Sequence, residues 1–515
     1  MAILKRLSIR MYRGILGDCF LIRTTLDEAG AEVERSILID CGVLQNVAAG
    51  VDLIAKLDPK VVNRIGKKRL TEVEAGPARI SAIAKDVLKT VGKRIDLLVI
   101  THEHYDHLSG FAFEKGAFLD GAVSIGRLWM AWTENPKDPQ ASALRARFSK
   151  GKQALAAAAA LAESDAHPGL RTAAALAAFA GPVAVSGLGA SGVFGTAEIM
   201  QMLKDKAGAD STSYLEPGQV IDLDEFNIKA FVLGPPRDEA LLRKDTPSKG
   251  HAKEVYLTRL DAAAAAESTV NAQLSLQAKR TDTVLPFSAV YQRPLNKKAR
   301  RKEPTEPKSV VGNLYDAPAA EWRRIDSDWT GSIEALALKM DSDTNNTSLA
   351  LAFELPDGQV LLFPGDAQVG NWLSWNDQTY PPAAMNMSSG KPVTAEDLLR
   401  RTTFYKVGHH GSHNATVKAL GLERMVDPRL VAAIPVVEAV AAIQGKGRTE
   451  PGSGWRMPFE ELYKALQEKT KGRIVQGDGN PTAEQQAFSD NPTSRQRPVK
   501  IEHNDLFVEM TFDLS

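Results

Sequence analysis

"LLVITHEHYDHLSG", residues 97–110, decides how this chain is read. Leu97 to Ile100 form a short apolar run of the kind a buried strand uses. Three of the chain's nine histidines, His102, His104 and His107, follow at once, with Asp106 among them. The cluster therefore stands where a strand emerges into a loop, the place from which a rigid scaffold presents working side chains. The HxHxDH spacing sets His102, His104 and Asp106 on one side of an extended segment, and His107 follows directly. Neutral imidazoles beside a carboxylate suit zinc, manganese or iron rather than calcium or magnesium. The bland alternative, a polar loop with coincidental histidines, is hard to sustain where histidine is this scarce.

A metal centre that performs hydrolysis needs ligands from elsewhere in the chain, and two segments qualify. "VLLFPGDA" (360–367) ends an apolar run at Asp366, and "TFYKVGHHGSHNAT" (403–416) presents His409, His410 and His413. Carboxylates and histidines arriving from three separate strand ends are what a dinuclear site requires. Asp366 is placed to bridge two ions about 3.5–4 Å apart. His409 and His413 are the candidates for protonating a leaving group.

The remaining pattern reads as one core domain over 1–515. Strand signals fill 4–41, in "RLSIRMY", "GDCFLIRTT" and "SILIDCG". Ile80, Ile83, Ala84, Val87 and Leu88 recur at three- and four-residue spacing and predict an amphipathic helix over 77–90. A hairpin-like pair is expected over 218–236 and another over 347–366, turning at Pro356-Asp357-Gly358. Strands at 403–408 and 430–437, a helix near 458–470 and a strand at "RIVQG" (473–477) complete the expected core. Two stretches break the rhythm and read as insertions. One, 135–200, is alanine-rich and helical. The other, 237–340, is partly irregular and contains the basic, proline-punctuated "QRPLNKKARRKEPTEPK" (292–308). That run is either a solvated linker or an arm for phosphates, in which Lys297, Lys298, Arg300 and Arg301 would bind nucleic acid.

Composition limits the partners. Lysine plus arginine balances aspartate plus glutamate at 63 each, so no global field gathers polyanions and a nucleic-acid site must be local. The two cysteines, Cys19 and Cys41, form no CxxC and are expected to be buried, reduced residues. The first residues carry charge every few positions without an apolar h-region, and 172–197 is too broken by Pro182 and glycines to span a bilayer. A cytoplasmic protein without a membrane partner is the expectation. A protein partner or homo-oligomer is left open.

"ITHEHYDHLSG", "PGDA" and "KVGHHGS" together resemble the metallo-β-lactamase superfamily. The nearest likeness is to its branch containing the nuclease-like domain of bacterial DNA-uptake channel proteins and the phosphorylcholine esterases. "MYRGILGDCFLIRT", "PGQVIDLDEFNIKAFVLGPP" and "NNTSLALAF" are similar to that branch's opening hairpin, middle strand pair and asparagine-rich strand start. The resemblance implies an α/β fold, a four-layer αββα sandwich with metals at one edge, here carrying the two insertions. It implies two divalent ions, Zn2+ or Mn2+. His102 and His104 would hold the first ion, Asp106 and His107 the second, with Asp366 bridging and His410 completing the second site. Asp106, His409 and His410 would be the catalytic residues, and His413 would stand behind them. Asp40 would brace the histidine loop through hydrogen bonds. Many members supply one further histidine to the first ion, and this chain has "SDTNNTS" (342–348) in its place. Asp343, Asn345 and Asn346 are the candidates to stand in or contact substrate, with His167 and His251 as alternatives from the insertions. The implied activity is a phosphodiesterase, a nuclease on DNA or RNA working through a metal-activated hydroxide. A hydrolase of a small ester, lactone or cyclic nucleotide is the alternative enzyme, and a degenerate metal-binding scaffold the alternative outside catalysis.

Overall fold

The computed structural model describes residues 2–44, 59, 62, 76–121, 123–164, 194–244, 339–381, 392–444 and 454–515. Its strands follow the apolar alternation of the sequence. β1 (Ile3–Tyr12), β2 (Phe20–Glu28) and β3 (Ala31–Ile39) pair antiparallel in sequence order. The chain then crosses over, and β4 (Arg94–Val99), β5 (Ser124–Ala131) and β6 (Thr212–Leu215) add in parallel. A second sheet begins with antiparallel β7 (Val220–Leu223), β8 (Ile228–Gly234), β9 (Ala350–Glu354) and β10 (Val360–Phe363). After the short ribbon of β11 (Thr379–Tyr380) and β12 (Val393–Thr394), it continues in parallel with β13 (Thr402–Lys406), β14 (Val431–Ile434) and β15 (Ile474–Gln476).

The chain ends with β16 (Lys500–His503) and β17 (Phe507–Asp513), and β17 pairs antiparallel with β1. This hairpin lies beyond 477, where the expected core ends, although Val508, Met510 and Phe512 alternate inward. The first sheet thus has eight strands and the second seven.

The two sheets pack face to face. Leu7, Ile9, Met11, Ile37, Leu97 and Val99 of the first meet Ile228, Val232, Leu351, Phe353, Phe363 and Phe404 of the second in one core. Each such side chain, fully buried, contributes about 1.5–3 kcal/mol. Helices cover the outer faces. On the first sheet lie α1 (Gly76–Val91), α2 (Tyr105–Phe113) and α3 (Thr196–Ala207). Ile80, Ile83, Ala84 and Val87 of α1 form the buried stripe that their spacing predicts. α3 starts inside the expected insertion 135–200, yet Ile199, Met200 and Leu203 belong to this core layer. Against the second sheet lie α4 (Val369–Ser374), α5 (Ala395–Arg400) and α6 (Glu460–Thr470). The αββα layering is therefore present.

The chain divides into two compact units. The first comprises Met1–Arg147, Ala178–Lys253 and Asp341–Ser515, and contains both sheets. The second comprises Phe148–Ala177 and Glu254–Met340, of which 148–164 and 339–340 are described and helical. The basic run 292–308, with Lys297, Lys298, Arg300 and Arg301, lies outside the described residues, as do His167 and His251.

Candidate metal centre

β3 and β4 run parallel and end side by side, so Asp40 and Thr101 leave the sheet together. Asp40 sits in the left-handed region, φ 54°, which aspartate tolerates better than most residues. Its carboxylate accepts from Thr101 N at 2.9 Å and Thr101 Oγ1 at 2.7 Å, and meets His107 Nδ1 at 2.8 Å. That contact leaves Nε2 facing inward, 3.2 Å from Asp366 Oδ2. Backbone bonds fasten the loops together: Asp18 N donates to Asp106 O, Cys41 N to His107 O and Gly42 N to Asp18 O. Gly42 is obligatory in this packing. A Cβ there would overlap the Asp106 carbonyl carbon and the His107 amide nitrogen.

The second sheet delivers the other half. β10 ends in Pro364-Gly365-Asp366, and Gly365 at φ +59° lies so close that a Cβ would sit 3.0 Å from Ser348 and Thr101. Asp366 N donates to Ser348 Oγ at 3.1 Å. The two oxygens of Asp366 do different work. Oδ1 accepts from Lys406 Nζ at 3.0 Å and from His409 N at 3.0 Å. Oδ2 faces His107 Nε2 at 3.2 Å and His410 Nε2 at 3.7 Å. At the end of β13, His409 and His410 both adopt positive φ, 44° and 54°. Such non-glycine residues cost roughly 1–3 kcal/mol each and persist only where the surroundings hold them. Here Asp366 holds the His409 amide, and Pro435 O lies 2.9 Å from His410 Nδ1. The turn points His410 Nε2 at Asp106 Oδ2, 2.9 Å away. Asp106, His107, Asp366 and His410 each then offer one ligand atom, all within 4.8 Å of one another.

His102 and His104 stand beside this group, with His102 Nε2 and His104 Nδ1 3.0 Å apart. Two nitrogens sharing one zinc at about 2.0–2.1 Å in tetrahedral geometry lie roughly 3.3 Å apart, so the pair is already close to chelating spacing. The structure also brings in residues outside the expected set. Lys406 Nζ donates to Gly365 O at 2.8 Å and pairs with the buried Asp18 as well as Asp366. Asp341 lies 4.0 Å from His104 Nε2, and Asn345 Nδ2 donates to its Oδ2 at 3.2 Å.

Other expected residues take less central places. Asn345 also approaches His409 Nε2 at 3.4 Å. Asn346 is committed elsewhere: its oxygen accepts from the amides of Gln368 and Asn371 and its nitrogen donates to Lys244 O. Asp343 is buried nearby in sequence. His409 is buried with Ser412 Oγ 2.8 Å from its Nδ1. His413, expected to stand behind the centre, is instead exposed, its ring edge-on to Phe459. Cys19 and Cys41 are buried and free.

The electrostatics favour added positive charge. Burial works against a charged His107, but Asp366, Asp18, Asp40 and Asp106 overcome it and raise the ring well above the ordinary histidine value. His410 is raised against the same burial by Asp366, Asp106 and Asp18. Burial would lift Asp366, yet Lys406, His107 and His410 hold it well below the carboxylate range. Asp341 is pushed up to about 8 by burial and by the charges of Asp106 and Asp366. His409 is lowered to about 4, chiefly by burial, so at neutral pH its ring is uncharged.

This donor set fits divalent ions. Imidazole nitrogens and carboxylate oxygens converge, and the buried oxygens Asp106 Oδ1, Asp341 Oδ1, Asn345 Oδ1 and Gln368 Oε1 have no hydrogen-bond partner. Asp18, Asp40 and His107 also lie within 4.8 Å of one another. There Lys406 occupies Asp18 and Thr101 occupies Asp40, so that trio braces the centre. Among the described residues no helix is long and apolar enough to cross a membrane.

Comparison with known families returns a match over part of the chain. Residues 16–195 fit the model of the Metallo-beta-lactamase superfamily, whose members are mainly metallo-hydrolases. The matched segment carries Asp18, Asp40 and the HxHxDH cluster, and it ends before Asp341, Asp366 and His410. Searches of curated proteins and of solved structures found no match.

Proposed function

We propose that this chain is a metal-dependent phosphodiesterase, a nuclease on DNA or RNA, in which His102 and His104 hold one divalent ion and Asp106, His107 and His410 a second. Asp366 would offer Oδ2 to the ions, because Oδ1 is already bonded to Lys406 and the His409 amide. The observation that carries the reading is the meeting of Asp106, His107, Asp366 and His410 from strand ends of both sheets. Zn2+ or Mn2+ bound there would bring a water toward ionisation at neutral pH and neutralise charge gathering on phosphoryl oxygens. The protein's own residues then divide the work. Asp40 keeps His107 in the tautomer that presents Nε2. Lys406 and Asp18 lock the bridging carboxylate in place. His409, neutral and tethered to Ser412, offers a hydrogen bond to a substrate oxygen rather than a stored proton. Polyanion binding falls to the basic run, where Lys297, Lys298, Arg300 and Arg301 supply the field that zero net charge withholds.

The test is direct. Purified full-length protein with Mn2+ or Zn2+ should degrade plasmid or oligonucleotide, and Asp106→Ala with His107→Ala should abolish the activity. Neutralising Lys297, Lys298, Arg300 and Arg301 should weaken binding and flatten its salt dependence. Cleavage of bis-p-nitrophenyl phosphate with polynucleotides untouched would transfer the assignment to small esters. No turnover on either, with less than about one ion per chain, would leave a scaffold.

A further inference from the structure

We propose that Thr101 is a positioning residue for the first metal position: by giving its one hydroxyl proton to Asp40, it keeps His102 protonated at Nδ1 and free to ligate through Nε2. Asp40 then braces rings of both positions, His107 directly and His102 by way of Thr101. The inference rests on the dinuclear reading above and deepens it.

The argument is a count of protons. A hydroxyl carries one proton and two acceptor lone pairs. Thr101 Oγ1 lies 2.7 Å from Asp40 Oδ2, and a carboxylate oxygen can only accept, so the proton goes there. The same hydroxyl oxygen lies 3.1 Å from His102 Nδ1. Its proton already spent, it can only accept from the ring, which puts the N–H on Nδ1 and the lone pair on Nε2. Nε2 is the atom that stands 3.0 Å from His104 Nδ1. His107 Nδ1 also comes within 3.4 Å of the hydroxyl, but Asp40 Oδ2 is nearer, at 2.8 Å, and takes that N–H.

His107 and His410 need no such relay. Their Nδ1 atoms face acceptor-only groups, the Asp40 carboxylate and Pro435 O at 2.9 Å. His102 faces a group that could donate or accept, and Asp40 decides which. Thr101 is itself held tightly. Its N donates to Asp40 Oδ1 at 2.9 Å, and its O accepts from Leu349 N of the second sheet at 2.8 Å. A Cβ on Gly365 would stand 3.0 Å from the Thr101 Cβ, and β-branching restricts χ1 further, so the hydroxyl has little freedom to turn. Thr101 and Asp40 are both buried, which keeps water from taking either place.

The two bracing residues should therefore act differently. A change at Asp40 reaches both metal positions, whereas a change at the Thr101 hydroxyl reaches the first alone. Valine keeps the shape and branching of threonine and removes only the polar atom.

The experiment reads ion binding rather than turnover. Metal-free full-length protein is titrated with Co2+, followed by visible absorption and calorimetry. The binding step lost in His102→Ala identifies the first position, and the step lost in His410→Ala the second. Thr101→Val should weaken the first step by roughly 10–100-fold and leave the second at wild-type affinity. Thr101→Ser, which restores the hydroxyl, should recover the first step, and Asp40→Asn should weaken both. First-step affinity unchanged in Thr101→Val would overturn the proposal while leaving the dinuclear reading intact. Equal loss at both steps would also overturn it, because that marks a general loosening of the loop. No tight ion in wild type would overturn the dinuclear reading and the proposal with it. Should far-UV circular dichroism show Thr101→Val unfolded, Thr101→Ala serves, and an unchanged first step there would overturn the proposal.

Discussion

Lys406 is the residue whose removal tests the architecture of the centre most severely. All three of its ammonium protons are used, on Gly365 O, Asp366 Oδ1 and Asp18 Oδ2. Lys406, Asp18 and Asp366 are 2%, 2% and 1% exposed, so water cannot replace the lost partner. Removing one member of such a buried pair costs about 3–5 kcal/mol, because it strands the opposite charge. Asp366 retains His107 and His410, whereas Asp18 keeps only distant imidazoles at 3.7–3.8 Å. The stranded charge is therefore mainly that of Asp18. Burial already raises its carboxyl, with Lys406 the chief opposing influence, so without Lys406 it should take up a proton. Lys406→Met in metal-free protein should lose about 3–5 kcal/mol in urea unfolding of the unit that carries Trp129, Trp132, Trp372 and Trp375, read by tryptophan fluorescence. Adding Asp18→Asn should recover part of that loss, so the double variant is less damaged than the sum of the singles. A loss below about 1 kcal/mol for Lys406→Met, the scale of an ordinary surface change, would refute the reasoning.

Three further outcomes follow from the same geometry. Loading metal at neutral pH should expel about two protons per chain, from His107 and His410, since both rings are raised in the metal-free protein and only the neutral form ligates. Affinity should accordingly rise with pH until both rings are neutral; calorimetry in buffers of different ionisation enthalpy reads the release, and none would contradict the charge assignment. Asp40→Asn should lower metal affinity by roughly 10–100-fold, because an amide cannot accept from Thr101 N, Thr101 Oγ1 and His107 Nδ1 together. Equilibrium dialysis checks it. His413→Ala, at an exposed residue packed on Phe459, should leave metal content unchanged, as elemental analysis would report.

What the sequence disclosed and what it hid divide along physical lines. His102, His104, Asp106, His107, Asp366 and His410 were legible because each follows an apolar strand, and strand ends of a packed sandwich converge at one edge. Asp40 was legible only through the family resemblance. Asp18 was not: after Gly17 it reads as a turn residue, and only its bonds to Lys406 and the neighbouring loop reveal otherwise. Lys406 falls in "TFYKVG", where alternation suggests an outward charge, although β13 is buried along its whole length. A lysine in an otherwise apolar central strand is the signal that an acid waits beside it. Asp341 was hidden because 342–348 reads as a strand start, whereas 341–345 is helical and brings residues four apart onto one face. His413 failed in the opposite direction. Spacing cannot show that two consecutive left-handed residues, His409 and His410, turn the chain before it.

The central claim is that both sheets deliver side chains to one pair of cations bridged by Asp366. Anomalous diffraction from crystals loaded with Zn2+ or Mn2+ tests it most directly. Two peaks about 3.5–4 Å apart on either side of Asp366 Oδ2 are the predicted result, one against His102 and His104 and the other against Asp106, His107 and His410. Metal-loaded crystals with no peak there, or with peaks only at surface residues, would contradict it.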